Sequence, residues 1–266
     1  MPAIITLTTD FGLRDPYVAE MKAVILGITR DVHIVDITHD VRPHDIAEGA
    51  LALEAAAPHF PRGTVHVAVV DPGVGTPRRG LVLVWRGAVF VGPDNGLFTP
   101  FLGADGWEAF ELAAGEFRRP VVSRTFHGRD IFAPAAAHVA RGLDLRHLGP
   151  TVGDPVRLPW PEVREVEGRV AGAVIHVDRF GNLITSVRAE AVEALGPDVA
   201  IHVAGRTLPL VGTYGDLPED DAGALIGSHR RLEIAVREGR AESLLGATRG
   251  APVLVSRSRG RSLKNG

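Results

Sequence analysis

A carboxylate carried to the end of an apolar strand is the first place where this chain can do chemistry. The run Val67-Ala68-Val69-Val70-Asp71-Pro72-Gly73-Val74-Gly75-Thr76-Pro77-Arg78-Arg79 sets four apolar, mostly β-branched residues before Asp71, and Pro72, Gly73 and Gly75 stop the strand there. In open α/β sheets, ligands bind outside the carboxyl ends of the strands. An acid at that rim, followed by a glycine-rich loop and two arginines, reads as a ligand-binding or catalytic group. Asp10 and Asp40 follow strand patterns over 4–8 and 32–37 in the same way. Parallel strands place like ends on one edge, so the three carboxylates are expected to share a rim. Phe126-His127-Gly128-Arg129-Asp130 adds an imidazole at a helix start, where Gly128 permits close approach of backbone or ligand. Asn182, ending the turn Asp178-Arg179-Phe180-Gly181-Asn182, is either a hairpin residue or an amide that reads a base edge.

These residue types allow several chemistries. Asp10, Asp40, Asp71 and His127, drawn from separate elements, are a ligand set from which a dimetal phosphoesterase could be assembled. The same rim also suits a non-catalytic nucleoside-binding protein. Other classes fall away. Asp10-Phe11-Gly12 resembles the metal-binding tripeptide of kinases, but no catalytic-loop signature accompanies it. Gly73-Val74-Gly75 lacks the Lys-Ser/Thr of a phosphate-binding P-loop, and no Gly-x-Ser-x-Gly elbow occurs. With no cysteine, disulfides, thiolate metal sites and cysteine nucleophiles are excluded. The eleven histidines show no His-x-x-x-His pair that would set two ligands on one helical face.

The elements that must hold these groups alternate. After the strand at 4–8, Asp15 and Pro16 are expected to start a helix whose buried stripe is Tyr17, Val18, Met21, Val24, Ile25 and Ile28. The strand at 32–37 is followed by a helix through Ala57, capped by Asp45 with Glu48, and then by the strand at 65–70. Strand-helix-strand-helix-strand argues a parallel sheet covered by helices. A hairpin over 81–85 and 88–91, the turn Gly92-Pro93-Asp94-Asn95-Gly96 and an alanine-rich helix through 131–141 complete this half, with Pro134 tolerable only near the first turn. Short strands at 168–177, 183–187, 199–203, 232–236 and 253–256 then fit a small, partly closed β-barrel. The tail from Arg257 onward is basic and expected to fray.

At 266 residues, 45% of them hydrophobic, the chain suits two domains of ordinary size. We expect an α/β domain over 1–152, a linker over 153–165, rich in proline, and a β-barrel domain over 166–266. The apolar runs are too short to span a bilayer. The strand pattern begins at Ile4, with no signal-peptide core before it, so a cytoplasmic protein is expected. A formal net charge of −3 gives no support for a nucleic-acid partner. Only Lys22 and Lys264 are lysines, glutamine is absent and asparagine is confined to three positions, a composition compatible with a GC-rich genome or a hot habitat.

Five motifs in one order carry a resemblance over nearly the whole chain. With Thr8-Thr9-Asp10-Phe11-Gly12, Val70-Asp71-Pro72-Gly73-Val74-Gly75-Thr76, Gly92-Pro93-Asp94-Asn95-Gly96, Phe126-His127-Gly128-Arg129-Asp130 and Asp178-Arg179-Phe180-Gly181-Asn182, the sequence resembles the SAM hydroxide adenosyltransferases. These S-adenosylmethionine (SAM) hydrolases are relatives of the fluorinating and chlorinating enzymes. The resemblance implies an amino-terminal α/β domain, a carboxy-terminal β-barrel and a homotrimer with active sites between subunits. It also implies water attack on C5′ to give adenosine and L-methionine, with SAM as substrate and with neither metal nor cofactor. The family's catalytic set falls on Asp71, Arg78 and His127, with Arg79 as a neighbour that is easily confused with Arg78. Asp10 would hold the ribose hydroxyls. Asp178 and Ser228 would hold the amino-acid end, and Asn182 with backbone near 232–236 would read adenine, Phe180 packing nearby. The set is intact and no added loop interrupts 92–119, which favours hydrolysis over halogenation. One departure concerns Ser228-His229-Arg230-Arg231, where relatives commonly carry a small residue soon after the serine.

Overall fold

The structure, a computed structural model, describes residues 2–103, 106–160 and 162–258. The chain divides into two compact units, Met1–Pro159 and Trp160–Gly266.

The first unit is built on a six-stranded sheet. In chain order its elements are β1 (Ala3–Thr9), α1 (Tyr17–Ile28), β2 (Val32–Thr38), α2 (Ile46–Ala56), β3 (Val65–Val69), β4 (Gly80–Trp85), β5 (Ala88–Pro93), β6 (Trp107–Glu111) and α3 (Ala133–Ala140). The strand order is β2-β1-β3-β5-β4-β6. β2, β1, β3 and β5 run parallel, while β4 is antiparallel to both of its neighbours, so the sheet is mixed. Strand alternation sends Ile5, Leu7, Val65, Val67 and Val69 to one face, where they pack on Val18, Met21 and Ile25 of α1 and on the alanines of α3. α2 contacts β1, β2 and β3, and its Gly49 leaves no room for a Cβ against Val70 and Leu97.

Local signals explain most of these boundaries. Asp45 caps α2 as expected, its carboxylate accepting from the N–H of Glu48. Asp15 does not cap α1: Pro16 occupies the N-cap position and no side chain bonds the helix end. The β4–β5 hairpin turns through Arg86 and Gly87, both at positive φ, as a type I′ turn requires. Pro134 is the second residue of α3, but a π-helical turn over Gly128–Phe132 runs straight into that helix, so the proline lies inside the helical run and not in its first turn as expected. The stretch expected to link two domains lies against the first unit as far as Leu158, through Asp94 to Val156 N–H and Thr99 to Leu158 N–H.

The second unit is an antiparallel sheet of eight strands: β7 (Arg164–Val166), β8 (Arg169–Val177), β9 (Leu183–Arg188), β10 (Val199–Val203), β11 (Arg206–Pro209), β12 (Ala222–Ile226), β13 (Arg231–Val236) and β14 (Pro252–Arg257), with short helices α4 (Ala189–Glu193) and α5 (Ala241–Leu245). The path runs β11-β10-β14-β8-β9-β13-β12, with β7 beside β8. An isolated bridge from Leu210 to Ala224 brings the two ends together, so the sheet curls into a nearly closed barrel around Val170, Leu183, Ile201, Leu232 and Val255. Arg257 does not fray; it ends β14 and donates to the Leu195 carbonyl. The basic tail beyond residue 258 lies outside the described residues.

Candidate active site

The loop after β3 folds back on itself. Val74 N–H donates to the Asp71 carbonyl at 3.2 Å, and Thr76 bonds the Gly73 carbonyl through both N–H and hydroxyl. These turns return Arg78 to Asp71, seven residues earlier. Arg78 Nε donates to Asp71 Oδ1 at 2.9 Å and Nη2 donates to Asp71 Oδ2. Such a forked contact is the strongest pairing the two groups can make. The side chains are 5% and 11% exposed. The same Nη2 reaches His127 Nδ1 at 2.8 Å, and the guanidinium lies 5.2 Å from the Phe132 ring centre. Gly75 is at φ +78°, and a Cβ there would collide with the Arg124 carbonyl, so the acid-bearing loop rests directly on the segment that carries His127. Arg79 is a structural tie instead, donating to Asp94 and Asp154 at 2.9 Å.

His127 precedes a π-helical turn, Gly128–Phe132, a geometry that recurs at functional sites. An arginine can only donate, so Nδ1 accepts, and the neutral ring carries its proton on Nε2. Burial, then the Arg78 charge, lowers the His127 pKa from the ordinary histidine value. The arrangement therefore offers an anionic oxygen the Nε2 donor of the imidazole, with the guanidinium charge behind it.

Asp71 and His127 line a cavity of about 500 Å³ together with Asp10. Asp10 Oδ2 accepts from the His44 N–H at 2.9 Å. Phe11, Tyr17 and Phe126 form the apolar wall, their ring centres 5.2 to 5.9 Å apart in edge-on contacts. Asp40 does not join them: it is exposed and absent from the cavity wall. Among the described residues no three His, Asp or Glu side chains gather as metal ligands, and both oxygens of Asp71 are committed to Arg78.

Two acids, Glu20 on this wall and Asp130 behind it, are given no role in the sequence reading. Glu20 accepts from Arg129 Nη1 at 2.7 Å, and both line the cavity. Asp130, fully buried, accepts from Arg129, Arg119 and the Ser123 N–H. Burial opposes ionisation of Asp130, yet the contacts from Arg129 and Ser123 hold its carboxyl below the usual range. Its position inside the Phe-His-Gly-Arg-Asp motif was the only available signal.

In the second unit the Asp178 carboxylate ties its own loop, accepting from the N–H groups of Phe180 and Asn182 at 2.9 Å and from the Asn182 amide at 3.1 Å. Phe180, 73% exposed, and buried Asn182 line a cavity of about 620 Å³ with Tyr214, Leu217, Val236 and Arg240. Ser228 stands exposed in the turn before β13 and lines neither cavity. After it, Arg230 turns onto Glu190 and Glu193, while buried Arg231 donates to the Ser186 carbonyl. The bulky residues that follow Ser228 thus have partners of their own on β9 and α4.

The comparisons extend over both units. A protein of Thermus thermophilus named (R)-S-adenosyl-L-methionine hydrolase is 42% identical over 257 residues, covering 92% of this chain and 96% of its own. A fluorinase of Actinopolyspora mzabensis is 28% identical, covering 96% of this chain and 97% of its own. The crystal structure of an uncharacterized conserved protein from Thermotoga maritima superposes with a TM-score of 0.89 at 34% identity, covering 95% of this chain and all of that one. Residues 5–149 match the SAM hydroxide adenosyltransferase N-terminal domain and residues 172–254 match its C-terminal domain. Matched in both halves and in order, the chain belongs to the SAM hydroxide adenosyltransferase family.

Proposed function

We propose that the protein hydrolyses S-adenosyl-L-methionine to adenosine and L-methionine. The observation that carries this reading is that Asp71 and His127, tied together from behind by the guanidinium of Arg78, line one cavity with Asp10. In the reaction a water oxygen bonds to C5′ as the C5′–S bond breaks. The bonding pair goes to sulfur, and the water's proton is released to solvent. Sulfonium needs no acid to leave, so the site's task is to make water nucleophilic. Nδ1 of His127 and both oxygens of Asp71 are occupied by Arg78, which favours a role for the set in stabilising hydroxide, through the Nε2 donor of His127 with the Arg78 charge behind it. Holding that oxygen in line behind the sulfur draws on a proximity effect of about 7–11 kcal/mol at its ideal limit.

In this proposal the α/β domain, 1–152, activates the nucleophile, and the barrel domain, 166–266, reached through the 153–165 linker, recognises the rest of the substrate. Asp10 accepts from the two ribose hydroxyls. Asp178 and Ser228 hold the amino-acid end, and Asn182 reads adenine beside Phe180. A homotrimer whose active sites form between subunits completes the site, and neither metal nor cofactor takes part.

The test is incubation with each sulfonium epimer of SAM, since the Thermus relative's name specifies the R form. Adenosine and methionine are followed by chromatography, with and without chloride, fluoride and EDTA. Equimolar adenosine and methionine, indifferent to halide and EDTA, is the expected result. A 5′-halogenated product overturns hydrolysis in favour of halogenation. Activity lost to EDTA and restored by a divalent ion points to a metallohydrolase, and tight adenosine binding without methionine release points to a binding protein.

A further inference from the structure

The barrel's cavity is walled in part by Tyr214, and the mechanism above makes no use of the acid that holds it. Tyr214 sits on a short turn, 214–216, closed by a capping box between Thr213 and Asp216. Half of its surface is exposed, so packing alone does not fix the ring. Its hydroxyl donates to Glu233 Oε1. Glu233 comes from the middle of β13, paired with Leu225 on one side and Ile184 on the other, and is only 7% exposed. A strand inside the sheet therefore supplies the anchor for a ring carried by a turn. The other carboxylate oxygen lies under Gly227, where a Cβ would come within 2.5 Å of it. One acid thus touches both the Tyr214 wall and the turn that leads to Ser228.

We propose that Glu233 is a positioning residue for substrate binding, holding Tyr214 in the orientation in which its ring forms the wall shared with Phe180 and Asn182. This rests on the proposed function, because it gives that cavity a nucleoside to bind. A carboxyl buried beside a second acid is a costly way to fill space, and leucine would fill it without that cost. Burial raises the Glu233 pKa above the ordinary carboxylate value, against the opposing hydrogen bond from Tyr214, with the Asp178 charge adding to the rise and His229 reducing it. What the Tyr214 hydroxyl requires at this position is an acceptor oxygen. Glutamine supplies that oxygen with nearly the same shape.

The experiment measures adenosine affinity by calorimetry and SAM turnover for the full chain and four variants. Tyr214→Phe and Glu233→Leu are expected to weaken adenosine binding about tenfold, as loss of a buried hydrogen bond does, with KM for SAM rising in step and kcat within twofold of wild type. Glu233→Gln is expected to bind within twofold of wild type. The double variant Tyr214→Phe/Glu233→Leu is expected to bind no worse than either single change, because both remove one contact. Tyr214→Phe binding as wild type does, or Glu233→Gln failing as badly as Glu233→Leu, overturns the anchor. Should Glu233→Leu not fold, Tyr214→Phe and Glu233→Gln decide the question alone. A wild-type chain that neither binds adenosine nor turns over SAM overturns the functional reading itself, a result distinct from the others.

Discussion

A guanidinium shared between a carboxylate and an imidazole sets what each of them can do. Because Arg78 donates to Nδ1, protonating His127 there would set two donors against each other, which fits the lowering of its pKa by burial and by the Arg78 charge. Replacing Asp71, Arg78 or His127 with alanine is expected to leave adenosine affinity largely intact and to cut turnover by about 10²-fold or more, measured by calorimetry and by methionine release. Asp10→Ala is expected to do the reverse, weakening adenosine binding first. A second histidine governs stability. His66 is fully buried between Phe60 and Phe90, its Nδ1 bonded to Thr6 and its Nε2 without a partner, and burial lowers its pKa to about 4. The folded value lies below the unfolded 6.5, so between them the unfolded chain binds the extra proton and stability falls as the solution is acidified. That group alone is expected to remove about 2 kcal/mol between pH 7 and pH 5. Urea unfolding at the two pH values should show this loss, and His66→Leu should reduce the difference by that amount. Asp71 and His127 were legible as candidates from residue type and position. Arg78 was not separable from Arg79 by spacing, since only the folded-back loop decides which of two adjacent arginines faces the acid.

At the scale of elements, the site depends on two segments that lie in contact. Gly75 presses the 71–78 loop onto the Arg124 carbonyl, and the π-helical turn that follows places His127 beside Arg78. Gly75→Ala meets both an unfavourable φ and a backbone collision, so one segment must shift. Turnover is expected to fall at least tenfold while far-ultraviolet circular dichroism is unchanged, because the strands on either side do not depend on this contact. Strands β1, β2, β3 and β5 were legible because runs rich in β-branched residues ended near glycine, proline or an acid. β7 and β11 were not. Their hairpins turn through Glu167-Gly168 and Ala204-Gly205 with both residues at positive φ, and neither Glu nor Ala signals such a turn as Asn or Asp would. β6 was missed because it is short and follows no turn motif used in the reading. The start of the helical segment at 128 was blurred for another reason: one wide π turn shifts the phase of the apolar stripe, so a 3.6-residue period does not carry through it.

Over the whole molecule, the first unit leaves apolar side chains in water beside the cavity-lining residues. Leu13 and Val121 are 70% and 80% exposed, in the loops that continue from Phe11 and lead to Ser123. These two residues are where the proposed homotrimer can be tested. Light scattering after size exclusion is expected to give the mass of three chains, and Leu13→Asp/Val121→Asp is expected to lower both that mass and SAM turnover. A chain that runs as a fully active monomer overturns the trimer. Periodicity and spacing do not bear on the proposed oligomer, because an interface patch and a scattered surface leucine look alike in sequence. Each unit closes on an apolar core of its own, one between sheet and helices and one inside the barrel. Descent can therefore alter one half without dismantling the core of the other. A lineage containing both hydrolases and fluorinases is what such separable inheritance would leave behind.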